Sequence, residues 1–348
     1  MVNKIIKSIR KNLFVIITLV LSIGVLLYFL FTNYGIAALG HTITTLKINW
    51  LLMAIAGAVF CWVLEGFVLH LLCVHLYPRW SFGRSFSVGM IGLLYSALTP
   101  FSTGGQPMQI YSMSKMGMDT GKAGSIIAMK TLTYQVVMVA YSLVLVAMKL
   151  HFFQTSVSNF SFVTIIGLIS NSTFIALVAL FMISEKTTDK LVTSTIWFFH
   201  KIKLCKHPEQ RYEKIHSQLA IFHDATKLMG KSTRLYIVVM VITVFQITLN
   251  SLIPYFIYRS FNLNTASVVT MLAAQVFVAM VSAFVPLPGA SGGAEVSFYG
   301  FFGMFFQAAI LPAMLLWRII TYYANILFGG ICAYVGGKLY NTDSPLDQ

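Results

Sequence analysis

The chain has 348 residues, 57% of them hydrophobic and 10% charged, with a formal net charge of +14. A composition this apolar excludes an ordinary soluble domain. Apolar runs of roughly 20 residues point to membrane-crossing helices, and the alternating strand pattern of a β-barrel is absent. The basic excess gathers before the first apolar run (Lys4, Lys7, Arg10, Lys11) and between Lys186 and Arg234. That is the pattern of cytoplasmic segments facing anionic headgroups, and it argues against nucleic acid as a partner.

In chain order, the run from Leu13 to Phe31 is too long for the apolar core of a signal peptide, and no small-x-small site follows. It reads as a retained first helix over about 13–32. Further spans are expected at about 50–74, 123–149, 162–183, 235–258, 265–285 and 310–335. Glu65 falls near the middle of the second span, in "FCWVLEGFVLH", whose cytoplasmic end carries His70 and His75. Next comes "TPFSTGGQPMQIYSM", Thr99–Met113, where Pro100, Gly104, Gly105 and Gln106 interrupt the apolar pattern. Arg79 and Arg84 precede this stretch, while Lys115 and Lys122 follow it. Both ends therefore read as cytoplasmic, and the segment at about 85–113 is expected to be re-entrant.

Lys130 stands about two turns into the next helix, where it either snorkels to the cytoplasmic face or finds a buried partner. Segment 184–234 mixes both signs of charge. Ile215, Leu219, Phe222 and Met229 recur there at helical spacing, and Trp197–Lys206 combines aromatic with basic residues. It reads as cytoplasmic amphipathic linker helices between an N-terminal membrane half (1–183) and a C-terminal one (235–348), with docking of a partner as the other use of its surface.

In the second half, "VPLPGASGGAE" brings Pro286, Pro288, Gly289, Ser291, Gly292, Gly293 and Glu295 into a broken segment at about 286–306. Both odd stretches run from an apolar segment through Pro to a hydroxyl-Gly-Gly triplet, Thr103-Gly104-Gly105 and Ser291-Gly292-Gly293, with two extra residues in the second copy. Approached from opposite sides, they suggest an inverted-topology repeat with broken helices meeting near the midplane. Gly-Gly helix starts could cradle a phosphate. Arg318, in "LLWRIITYYAN", is a further charge inside an apolar run, and Lys338 marks the C-terminus as cytoplasmic.

The expected fold class is thus an all-α polytopic membrane protein with two inverted-topology helical halves. Cys61, Cys73, Cys205 and Cys332 have neither metal nor redox spacing. The nucleophile-elbow, zinc-protease, Walker A and dinucleotide patterns are missing, so no catalytic residue, cofactor or metal is assigned.

Together, "TPFSTGGQPMQIYSM", "VPLPGASGGAEVSFYGFF" and "LLWRIITYYANILFGG" resemble the lysylphosphatidylglycerol synthase transmembrane, or flippase-like, family, the membrane region of bacterial multiple-peptide-resistance factors. The matching positions are Pro100, Gly104, Gly105 and Gln106, then Pro286, Pro288, Gly289, Gly292, Glu295 and Arg318. The resemblance implies two inverted subdomains around a lipid-sized cavity in the bacterial cell membrane. It also implies transfer of aminoacylated phosphatidylglycerol to the outer leaflet, which protects against cationic peptides. The large soluble synthase domain of full-length factors is not expected here, so a separate synthase or other membrane enzyme is an implied partner. Lysyl transfer from lysyl-tRNA, or transport of a glycolipid or polyprenyl lipid, are the alternatives. The expected substrate-binding residues are Glu65, Gly104, Gly105, Gln106, Lys130, Ser291, Gly292, Gly293, Glu295 and Arg318. A phosphate would rest on the Gly-Gly ends with Arg318, and a cationic headgroup on Glu65 or Glu295.

Overall fold

The computed structural model describes Gly24 and residues 46–156, 160–201, 208–283 and 285–339. The expected first helix at 13–32, Cys205 and both termini lie outside the described residues. Within them the helices are α1 (Ile48–Leu76), α2 (Phe82–Leu98), α3 (Gly105–Lys115), α4 (Thr120–Ser156), α5 (Phe160–Ile183) and α6 (Glu185–Lys201). They continue with α7 (Pro208–Gly230), α8 (Thr233–Ser260), α9 (Val268–Ser282), α10 (Gly293–Phe306), α11 (Ile310–Arg318) and α12 (Ala324–Leu339). The described residues contain no strand.

Among the described residues, five helical stretches are long and apolar enough to cross a bilayer: Ile48–Leu76, Thr120–Thr155, Ile165–Ile183, Thr233–Ser260 and Pro288–Gly336. This is a multi-pass membrane protein. In α1, Leu52, Ile55, Val59, Phe60, Val63 and Phe67 remain exposed at helical spacing, a stripe suited to lipid tails, while Ala54, Ala58, Leu69 and Leu72 turn inward. The span expected at 265–285 is shorter than its apolar run. Helix α9 has 15 residues and ends at Ser282, about 22 Å at 1.5 Å per residue, less than the roughly 30 Å of a hydrocarbon core.

The two interrupted stretches each form a helix, a tight turn and a second helix packed back on the first. In the first, α2 leads through a short 3₁₀ turn at Pro100–Ser102 into α3. In the second, α9 leads to a 3₁₀ turn at Pro288–Ala290 and then α10. Proline sets φ at the start of each turn and has no N–H to leave unpaired. The next two residues are left-handed in both copies: Phe101 (φ 53°) and Ser102 (φ 55°), then Gly289 (φ 61°) and Ala290 (φ 52°). Pro288, not Pro286, is therefore the counterpart of Pro100, and the two extra residues of the second copy lie before the turn. With that register, both copies read Pro-x-x-hydroxyl-Gly-Gly. The two turns pack against one another.

Two apolar cores flank this meeting point. One gathers Leu69, Leu72, Met113, Ile126 and Met229 from α1, α3, α4 and α7. The other is aromatic, with Phe298 stacked on Phe302 at 4.6 Å and on Trp317 at 4.7 Å between ring centroids. Such rings combine large buried area with a fixed geometry, and they hold the end of α11 in place.

Candidate functional site

A cavity of about 1320 Å³ lies between the helices, walled by α1, α4, α5, α7 and α8, with both turns and the end of α11 on its surface. Its lining is mainly apolar. Among the described residues its charged side chains are Glu65, Lys130 and Arg318. A charge at membrane depth is costly unless paired or in a polar cavity, so these three mark the site.

The first charge centre joins four elements. Lys130 of α4 donates to Oε1 of Glu65 on α1 and, at 3.2 Å, to Oε1 of Gln109 on α3. Gln246 of α8 donates to Glu65 Oε2 at 3.3 Å. Lys130 therefore turns inward to a partner instead of snorkelling to the surface. Both charged side chains keep some contact with the cavity, at 15% and 14% exposure.

The second centre is dry. Arg318 Nε donates to Glu295 Oε1 at 2.7 Å. Its Nη2 lies 2.7 Å from the same oxygen, off the direction of a hydrogen bond, and Nη1 donates to the Gly289 carbonyl at 3.2 Å. The side chains of Arg318 and Glu295 are 5% and 1% exposed. The guanidinium carbon also sits 5.1 Å from the ring centroids of both Trp317 and Tyr322, a cation–π arrangement that helps to replace lost hydration.

Glu295 stands apart from the cavity surface. Its Oε2 accepts the Gly292 N–H at 2.7 Å, capping its own helix. At the first turn, the Gly104 N–H donates to Thr99 Oγ1 at 2.8 Å. These two N–H groups, the expected phosphate cradle, are already satisfied within the protein. In the second copy a carboxylate occupies the place the phosphate would take. Gly104, Gly105, Ser291, Gly292 and Gly293 are likewise set back from the cavity, which Gln106 does line.

The triplets serve the backbone. Thr103 Oγ1 donates to the Pro100 carbonyl at 2.9 Å, and Ser291 Oγ to the Pro288 carbonyl at 2.8 Å. Each hydroxyl thus adds a second bond to a carbonyl that already accepts the same residue's N–H at 3.2 Å. A Cβ on Gly105 would collide with Ser96 and the Gly92 carbonyl, and one on Gly293 with Val285. Pro286 lies in the irregular chain before the second turn.

Tyr322 ties the second turn to the end of α2. A five-residue π-helical turn at Ile319–Tyr323 follows Arg318, a distortion frequent at functional sites. It lays the Tyr322 ring against Gly289, where a Cβ would overlap it, and the hydroxyl donates to the Ala97 carbonyl at 3.2 Å.

Sequence reasoning missed Gln109, Gln246 and Tyr322, which are uncharged and far in sequence from the groups they hold. It also named no site residue within 184–234. Instead α7 forms part of the wall through Ile215, Gln218, Leu219 and Phe222. Gln218 Oε1 accepts the Gly121 N–H at 2.8 Å, capping the start of α4. The helical spacing of its apolar residues was the available signal.

Two comparisons bear on identity. A family model described as the lysylphosphatidylglycerol synthase TM region matches residues 15–329. The chain is also 28% identical over 302 residues to a UPF0104 membrane protein of Archaeoglobus fulgidus, a match covering 82% of this chain and 86% of that protein.

Proposed function

The chain belongs to the lysylphosphatidylglycerol synthase transmembrane family, and from that premise we propose that it carries charged phospholipid headgroups between the leaflets through its central cavity. The observation that carries this reading is the wall of that cavity: an apolar space of about 1320 Å³ in which Glu65, Lys130 and Arg318 are the charged groups. A headgroup needs compensating charges to leave water, and its acyl chains need an apolar surface. Both are present here, on helices long enough to cross the bilayer.

Movement follows from the turns. Two short helical hairpins that touch at their tips, one on each side of the headgroup, are suited to part alternately. In this proposal the halves are inverted in topology, with both termini cytoplasmic. The Glu65–Lys130 pair exchanges partners with the passing headgroup, while Arg318, anchored by Glu295, provides a fixed positive end.

The test is leaflet exchange of fluorescent phospholipids in proteoliposomes of the full chain, against empty vesicles. Transfer of at least one charged phospholipid should run tenfold or more above the empty-vesicle rate. Folded, reconstituted protein that leaves every such lipid at the empty-vesicle rate would sink the reading.

A further inference from the structure

Resting on the translocator reading, we infer that the cavity selects headgroups of net negative charge: an acidic phospholipid such as phosphatidylglycerol, in preference to its lysyl ester. The two differ simply. The phosphodiester alone carries one negative charge, whereas the lysyl ester adds two ammonium groups and becomes a net cation.

The argument starts from which charges reach the wall. Four charged side chains form the two centres, but Glu295 is set behind the surface, so that among the described residues Lys130 and Arg318 stand against the single carboxylate of Glu65. The Glu295–Arg318 pair is a fixed dipole with its cationic end toward the cavity. At low local dielectric such an orientation acts strongly on a nearby headgroup.

Hydrogen-bond capacity points the same way. Of the three N–H groups on Lys130, one goes to Glu65 and one to Gln109, which leaves one for an incoming acceptor. Gln246 gives one N–H to Glu65 and keeps its second. Glu65, by contrast, already receives Lys130 on one oxygen and Gln246 on the other. A phosphate arriving here finds donors. An ammonium group arriving here finds, among the described residues, one carboxylate on the wall, whose charge Lys130 already balances, and it meets the Arg318 end as well.

The prediction is a ranking by net charge among probes with identical acyl chains. In proteoliposomes of the full chain, phosphatidylglycerol should exchange faster than phosphatidylethanolamine, and that faster than lysylphosphatidylglycerol, with the first and last at least tenfold apart. Lys130→Gln should reduce that ratio at least fivefold, because Glu65 is then free for a cation. A second readout is independent of transport: the purified protein should retain phosphatidylglycerol over its lysyl ester from an equimolar mixture, measured by mass spectrometry of bound lipid. Equal or faster exchange of the lysyl ester by the native chain overturns the inference while leaving translocation standing. Anion-selective retention without exchange of any lipid removes translocation and upholds the charge selectivity. Failure of both readouts removes both.

Discussion

The turns at Pro100 and Pro288 share one local solution and differ in what stands behind them. Both place proline first, two left-handed residues next, and a hydroxyl bonded back to the proline carbonyl. The first turn then leads to a charge pair at the cavity surface, held by two carboxamides. The second leads to a pair whose carboxylate is set behind the cavity wall, with only Arg318 on the surface, held by a helix start and two aromatic rings. The sequence motif therefore encodes how the backbone reverses, and the charges are a separate, tertiary addition. In the proposed cycle the first pair exchanges partners and the second stays.

The largest expected difference comes from neutralising each carboxylate. Glu295→Gln leaves Arg318 uncompensated in a dry site and should cost about 3–5 kcal/mol of stability. Glu65→Gln leaves Lys130 in contact with the cavity and Gln109, and should cost about 1–3 kcal/mol, the range for a lost hydrogen bond to a charged group. Thermal unfolding in detergent measures both. Equal losses would erase the distinction between a wet and a dry centre. Of the intermediate size is the residue after each proline. Gly289→Ala drives a Cβ into the Tyr322 ring at positive φ, an overpacking and strain cost of about 2–4 kcal/mol. Phe101→Gly relieves the same backbone strain in the first turn, against the greater freedom glycine has when unfolded, and should change stability by less than about 1 kcal/mol. A large loss in Phe101→Gly would mean that its ring, not its backbone, holds the first turn.

The smallest effect lies away from both turns and serves as a baseline for them. Lys227 of α7 donates to Glu185 of α6 at 2.5 Å on the exposed surface. That hydrogen bond, with the charge behind it, holds the Glu185 carboxyl below its ordinary value of 4.5. A carboxyl lowered by folding stabilises above its unfolded value and loses that contribution as pH falls through the folded one. The melting temperatures of the native chain and Glu185→Gln should therefore differ slightly above pH 4.5 and converge at lower pH. A gap that persists in acid would assign the effect to packing.

The helical spans were legible because each is a long apolar run, and the turns because proline and glycine interrupt those runs in a repeated order. Pairing was not legible. Nothing in periodicity connects Glu65 with Lys130, or marks Gln109 and Gln246 as the groups that hold them, since those contacts join four separate helices. Glu295 and Arg318 were singled out as charges in apolar surroundings, but the position of Glu295 behind Arg318 depends on its bond to Gly292, a consequence of helix capping at the turn. The phosphate cradle read from the glycines met the same competition: the protein's own Thr99 and Glu295 reach those N–H groups first. In α7 the apolar spacing was visible, but the face of the molecule it covers was not.

The separation of paired charges along the chain also sets an order of events during synthesis. Glu295 precedes Arg318 by 23 residues, and Glu65 precedes Lys130 by 65. At the roughly 5–20 residues per second of translation, the first interval is about 1–5 s and the second about 3–13 s. Each carboxyl is thus synthesised, and emerges, ahead of its cation. Each pair therefore closes only when its second partner has followed the first out of the ribosome.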